Sequence, residues 1–222
     1  MNRLDFINAK RIVIKLGTNV LRNDEGYVSL PRVYTFIEDI AHLVKSGKEV
    51  IVITSGAVGL GKKRLNLEDT QGTALKQACA AIGQGKLMSI YESGFETYGL
   101  IAAQILLTED DFSVRERYLS LRTTLNKLLE LGAIPVINQN DTVSTLDVAL
   151  RYVKEDMQVC FSDNDKLSAL VASELDADLL IILSDIDGLY SDNPKTNPNA
   201  KLIKKVDKVD DKILALASGV SN

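Results

Sequence analysis

The stretch IVIKLGTNVL, Ile12 to Leu21, constrains the fold of this 222-residue chain more than any other. A run of β-branched and aliphatic residues carries one lysine, Lys15, and breaks at Gly17-Thr18. Such a run reads as a strand buried on both faces, which is how the strands of a parallel sheet sit. A glycine directly after it lets backbone amides come close to a ligand. A lysine at that edge is seldom buried unless paired, so it calls for an anion beside it. The plain alternative is a lysine that lays its stem along the strand end and keeps its ammonium in water.

The pattern then repeats. Ser29 and Pro31 suit a helix start, Val33, Phe36, Ile37, Ile40, Leu43 and Val44 recur at helical spacing, and Ser46-Gly47 closes that helix. Val50 to Ile53 is a second buried strand, and Leu100 to Thr108, AIPVINQND and ADLLIILSDIDGLY supply three more. Helical segments are expected from about Thr70 to Phe95, with a break near Gly83-Gln84-Gly85, from Asp110 to Gly132, and from Leu167 to Leu175. LRNDEGYVS reads as a hairpin or loop, residues 142–163 as a long loop or small hairpin, and NPKTNPNA as a turn. KLIKKV reads as a short strand, and Asp210 to Ala217 begins a last helix. Strands alternating with helices imply parallel pairing through crossovers. The expected fold is therefore a single α/β domain over residues 1–222, a three-layer α/β/α sandwich around a mainly parallel sheet.

Composition narrows the function. Hydrophobic residues make up 45% of the chain but aromatics only 5%, so the core is chiefly Ile, Leu, Val and Ala. The balance of 26 Lys+Arg against 30 Asp+Glu, with no basic run, argues against nucleic acid or an anionic membrane as partner. Cys79 and Cys160 are far apart and lack a nearby histidine, which speaks against a disulfide framework and a zinc site. His42, the single histidine, lies in an amphipathic pattern, so histidine-based catalysis has no material. The N-terminus is charged where a signal peptide is apolar, and no apolar run reaches membrane-spanning length, so a cytoplasmic location is expected.

Ligands of open α/β sheets bind outside the carboxyl ends of the strands. Four strand ends here switch from apolar to small or polar residues: Lys15-Leu16-Gly17-Thr18, Thr54-Ser55-Gly56-Ala57, Asn138-Gln139-Asn140-Asp141 and Ser184-Asp185-Ile186-Asp187-Gly188. Each alone is ordinary turn chemistry; four at one edge point to a site. TSGAVGLG offers two misleading patterns. Gly56, Gly61 and Lys62 have phosphate-loop spacing, but Lys63 stands where Ser or Thr must hold magnesium, and Arg64 occupies the third glycine of a dinucleotide pattern. Ser55-Gly56-Ala57 reads better as a tight strand-to-helix turn that favours an anion. The Asp185 to Asp192 loop is no calcium loop, because Leu189 fills a ligand position. Asp141, Asp163 and Asp165 with Asn138, Asn140 and Asn164 form the richest polar group, suited to an ammonium, a lysine or a water-bound magnesium. Helix capping by Asp163 or Asn164 would explain one of the six.

KLGTNVL, TSGAVGLG, ACAAIGQG, PVINQNDTV, SDNDKLSAL and LLIILSDIDGLY stand in the order and spacing of the glutamate 5-kinases, and the chain resembles that branch of the amino-acid kinase family along its length. The kinase half of pyrroline-5-carboxylate synthase shares these motifs. The resemblance implies transfer of the ATP γ-phosphoryl group to the side-chain carboxylate of L-glutamate, the first step of proline synthesis, with Mg2+ carried by ATP. By motif, Lys15 would lie against the transferred phosphoryl group. Amides at Gly17, Thr18, Gly56 and Ala57 would cradle phosphate oxygens, and Ser184 and Asp185 would bind ATP. Ser55, Asp141 and Asn164 match glutamate-binding positions, and Asp165 matches the aspartate that orients the catalytic lysines. A homodimer or homotetramer and proline feedback are also implied, and the alternative is a non-catalytic sensor of the same fold or a sister kinase acting on another carboxylate.

Two departures stand out. The family carries a GTGGMxTK loop after the segment matching Ile213 to Asn222, and this sequence stops before it. The fold is thus expected to be truncated at its C-terminus, without the second phosphate-binding lysine and without the RNA-modification-like domain of many bacterial members. The stretch between Asp141 and Asp163 is also longer than expected for simple bacterial members.

Overall fold

The computed structural model describes residues 3–23, 27–68, 70–108, 110–143 and 164–217. By internal contacts the chain divides into two compact units, Met1–Leu183 and Ser184–Asn222. Among the described residues of the first, a 3-10 turn at Arg3–Asn8 precedes five strands: β1 (Arg11–Leu16), β2 (Glu49–Ile53), β3 (Ile101–Leu107), β4 (Ala133–Gln139) and β5 (Leu179–Leu183). The helices, in chain order, are α1 (Thr18–Leu21), α2 (Leu30–Lys45), α3 (Ala57–Arg64), α4 (Thr73–Glu96), α5 (Asp110–Ser113), α6 (Arg115–Glu130) and α7 (Asn164–Glu174). All strand pairs are parallel, in the order β3-β4-β2-β1-β5.

The two-residue period of the strands builds the layers. Ile12, Ile14 and Leu16 of β1, with Val50, Val52, Ile134 and Val136, meet Val33 and Ile37 of α2 and Leu87, Tyr91 and Phe95 of α4. The alternate residues Val13, Ile51, Ile53 and Ile137 meet Leu125 and Leu129 of α6 and Leu167 and Val171 of α7. Both faces of the sheet are covered, giving the expected α/β/α sandwich. Burying each such side chain contributes roughly 1.5–3 kcal/mol. The alternation also puts Lys15 on the α7 face, two residues beyond Val13. Register pairs Lys15 with both Ile53 and Ile182, and Ile53 with Ile137. The carboxyl ends of β1, β2, β4 and β5 therefore finish level with one another.

Several expectations change. Helix α4 is continuous through Gly83-Gln84-Gly85. Its glycine at 83 serves contact, not a kink: a Cβ there would lie 1.8 Å from the Ala57 carbonyl oxygen, and one on Gly61 would lie 1.9 Å from the Cys79 carbonyl oxygen. Helices α3 and α4 thus touch backbone to backbone. The segment expected as one helix from Asp110 is two, divided at Val114, whose φ of −96° and ψ of 115° are extended. It stops at Gly132, where φ is 73°. Instead of a strand, KLIKKV contributes an isolated bridge between Tyr190 and Leu202. Arg22 and Val28 form an antiparallel bridge around the expected hairpin, whose tip at 24–26 lies outside the described residues. Of the long loop or small hairpin expected over 142–163, residues 144–163, Asp163 and Cys160 included, lie outside them too.

In the second unit, Ser191 N–H donates to the Lys201 carbonyl at 2.9 Å and Ile203 N–H to the Leu189 carbonyl at 2.7 Å. Between them Asp192 accepts from the Asn197 side-chain amide and the Asn193 N–H, which hold its carboxyl below the usual range. Helix α8 (Asp211–Ala217) is capped by Asp210, whose Oδ1 accepts the Ile213 N–H at 2.9 Å.

Candidate active site

Lys15 is only 5% exposed, and its ammonium forms an ion pair with Asp165. The lysine enters from the inward face of β1 and the aspartate from the first turn of α7. Ser168 fixes that turn by donating its hydroxyl to the Asp165 carbonyl at 2.6 Å. The ammonium lies inside the protein, so the strand-end alternative is set aside. Asp165 keeps 45% of its side chain exposed, so the charge that a lost partner would strand is the buried Lys15 ammonium.

Gly17 does something other than expected. Its N–H donates to the Leu183 carbonyl at 3.1 Å, extending the β1–β5 ladder, so this amide is engaged in the sheet and does not face an anion. What the glycine provides is clearance: a Cβ would approach Leu183 O to 3.0 Å and Lys15 Nζ to 3.4 Å. Gly56 is a conformational requirement, since it precedes α3 with φ at 106°, a region that suits glycine. The turn it makes aims the first residues of α3 at the sheet edge, and Gly83 lets Ala57 settle against α4.

A cavity of about 250 Å³ opens here, its wall including Thr18, Ser55, Gly56, Ala57, Asp141 and Asn164. A buried amide network underlies it. The Asn164 Nδ2 amide donates to the Thr54 carbonyl and the Ser55 hydroxyl, both at 2.7 Å, and to Asn138 Oδ1 at 3.2 Å. Asn138 in turn donates to Gln84 Oε1 at 2.9 Å, and the Thr54 and Tyr91 hydroxyls share a 2.8 Å hydrogen bond. Burial pushes the Tyr91 phenol up to about 12. Asn164 is therefore the first residue of α7 and ties β2 to β4, in place of the capping role open to it in the sequence. Its Oδ1 is buried and accepts no hydrogen bond among the described residues. A buried carbonyl left this way costs about 1–3 kcal/mol, which a donor on a ligand would recover. Asp141, half-buried in the turn after β4, has its carboxyl pushed up by burial, with no counter-charge contributing.

Ser184 and Asp185 follow β5 directly in the chain and belong to the second unit. There the Ser184 hydroxyl lies 3.4 Å from Asp185 Oδ1, and Asp185 Oδ2 lies 3.8 Å from Lys195 Nζ. Among the described residues no group of three or more His, Cys, Asp or Glu side chains converges to hold a metal.

Tyr91 and Arg22 of this region are not singled out in the sequence, while Thr54 appears there only as part of a strand-end turn and Gln84 only within an expected helix break. Gln84 carried a usable signal, a polar side chain between two glycines in an apolar helix, and it was read as a break. Arg22 carried none, because a single arginine after a turn looks like any surface cation.

A buried lysine paired with a half-exposed aspartate, with a polar cavity at the same carboxyl edge of a parallel sheet, is an arrangement suited to a multiply charged anion. Residues 10–219 match the amino acid kinase family, and the chain belongs to that family. Among curated relatives, it is 47% identical over 210 residues to a glutamate 5-kinase of Caldanaerobacter subterraneus subsp. tengcongensis, covering 94% of this chain and 54% of that protein. It is 43% identical over 221 residues to the glutamate 5-kinase of Moorella thermoacetica, covering 99% and 56% respectively. It is 43% identical over 209 residues to glutamate 5-kinase 2 of Bacillus subtilis, covering 94% and 53%. The chain spans about half the length of the curated relatives it matches.

Proposed function

We propose that the protein carrying this chain transfers the γ-phosphoryl group of ATP to the side-chain carboxylate of L-glutamate. The observation that carries this reading is the pairing of the buried Lys15 with Asp165, together with a cavity that has an uncompensated carboxylate, Asp141, and an unsatisfied amide oxygen, Asn164 Oδ1. The first suits a phosphoryl group in transit; the others suit the ammonium of an amino acid. The names of the relatives support the same reading.

Phosphoryl transfer asks for in-line placement and charge compensation more than for acid–base help. A carboxylate nucleophile is already ionised at neutral pH, so the chemistry needs no histidine. Lys15 offers its ammonium to the equatorial oxygens, and Asp165 holds that ammonium in place. Ser55, Asp141 and Asn164 bind glutamate, and the turn at Gly56-Ala57 with Thr18 bounds the phosphate end. Ser184 and Asp185 are assigned to ATP. A magnesium ion bound together with ATP would supply further neutralisation of the phosphate charge. We further expect a cytoplasmic homo-oligomer, dimer or tetramer, subject to proline feedback.

The test is hydroxylamine trapping of the acyl phosphate formed by the full-length protein from L-glutamate, ATP and Mg2+. The reading expects a γ-glutamyl hydroxamate signal with L-glutamate and little with aspartate or N-acetylglutamate. A strong preference for either of those would refute the substrate assignment.

A further inference from the structure

We propose that Arg22 binds the α-carboxylate of the amino-acid substrate, forming with Asp141 a two-ended receptor for its zwitterionic head. This rests on the kinase reading above and goes beyond it by naming the residue that distinguishes an amino acid from a plain amine or diacid.

Arg22 and Asp141 line the same cavity of about 250 Å³. That volume is smaller than the roughly 300–1,000 Å³ typical of pockets for drug-sized ligands and suits an amino acid. Among the described residues of the wall, Arg22 is the single cation and Asp141 the single anion. Among the described residues neither is in an ion pair, although both face one small space. Two opposite charges that share a cavity without meeting leave room for a ligand with the complementary pair of charges.

The backbone holds Arg22 while its guanidinium stays available. Its N–H donates to the Asn19 carbonyl at 3.3 Å, it bridges to Val28, and its carbonyl accepts from Arg32. The guanidinium lies over α3, where a Cβ on Gly59 would come within 3.7 Å of its terminal nitrogen. A larger residue at 59 would crowd it away. An arginine presents a planar fork that matches a carboxylate at two points, which lysine cannot reproduce.

Charge accounting within the site agrees. Glutamate brings two carboxylates and one ammonium. The γ-carboxylate goes to the phosphoryl end beside Lys15, whose ammonium is already paired with Asp165. Asp141 answers the ammonium. The α-carboxylate then needs a cation, and Arg22 is the one on the described wall. An ATP phosphate is the competing ligand for that guanidinium, and it would leave the α-carboxylate without a counter-charge.

The experiment measures affinity of the full-length protein for three ligands: L-glutamate, 4-aminobutyrate, which lacks the α-carboxylate, and glutarate, which lacks the ammonium. Wild type should prefer glutamate over both. Arg22→Met should weaken glutamate about 10- to 100-fold and leave 4-aminobutyrate unchanged, collapsing the ratio between them, with Arg22→Lys intermediate. Asp141→Asn should collapse the glutamate-to-glutarate ratio instead. The KM for ATP should not change in Arg22→Met, and a thermal melt should show all variants folded. A glutamate-to-4-aminobutyrate ratio preserved in Arg22→Met, or a rise in the KM for ATP in place of glutamate, overturns the assignment while leaving the kinase reading intact. A wild-type protein that binds no glutamate overturns both.

Discussion

The two walls of the cavity are held in place by different physics. On one side, β1, β2 and α3 are set by backbone contact. Gly17 clears Leu183 and Lys15, Gly56 makes a left-handed turn, and Gly61 and Gly83 bring α3 and α4 into direct main-chain contact. On the other side, β4 and α7 are joined through side-chain amides: Asn164 to Thr54, Ser55 and Asn138, and Asn138 to Gln84. The first wall answers to volume and the second to hydrogen-bond chemistry. Substitutions at the glycines of the first should therefore register as stability, and those of polar side chains facing the cavity as recognition.

The largest effect should come from Gly83→Val. Its Cβ would overlap the Ala57 carbonyl, so α3 must move, at about 3 kcal/mol, the upper part of the overpacking range. Urea denaturation would show it, and an unchanged midpoint would mean that the helices are not in backbone contact. Asp141→Asn should act on recognition, raising the KM for glutamate while kcat stays close to wild type. Because burial raises the Asp141 pKa, its charge is lost at a higher pH than for an exposed aspartate. Glutamate affinity should accordingly weaken as pH falls through that raised value, and the Asp141→Asn variant should lack this component. A pH profile of KM reads it directly; identical profiles for the two proteins would remove Asp141 from the site.

Smaller effects sharpen the contrast. Tyr91→Phe deletes a buried hydroxyl bonded to Thr54 and should cost about 0.5–1.5 kcal/mol near neutral pH. The wild-type phenol is pushed up to about 12 from 10.0, so the native state holds its proton longer than the unfolded chain does. That stabilisation is complete below pH 10.0 and is lost as pH rises towards about 12, so the Tyr91→Phe variant should flatten this part of the alkaline decline. Melts at pH 8 and pH 11 compare the two. The smallest change has the opposite sign. Gly85, two residues from Gly83, has nothing within 4 Å of an added Cβ, so Gly85→Ala should stabilise by about 0.5–1 kcal/mol. Destabilisation there would show that α4 needs its second glycine as well.

Much of the frame was legible in the sequence because strand periodicity is local. The apolar runs gave the strands, their alternation gave two buried faces, and the switch to small or polar residues marked the edge where Lys15, Ser55, Asp141 and Asn164 gather. What could not be read depends on contacts between segments distant in sequence. Gly83 resembles a helix breaker until Ala57 is placed against it. Gly17 resembles an anion-binding amide until Leu183 takes its N–H. Asn164 resembles a helix cap until Thr54 and Asn138 come within reach. Arg22 gives no local sign at all, since its place over Gly59 depends on how α1 and α3 meet at the cavity.

The claim at the centre is that Lys15 serves the chemistry while the cavity beside it serves recognition. The direct test is Lys15→Met in the full-length protein, with glutamate-dependent turnover and glutamate binding measured on the same preparation. The expected result is that turnover falls by at least about 10²–10³-fold while glutamate still binds with an affinity close to wild type. Retained turnover in a folded Lys15→Met protein would contradict it.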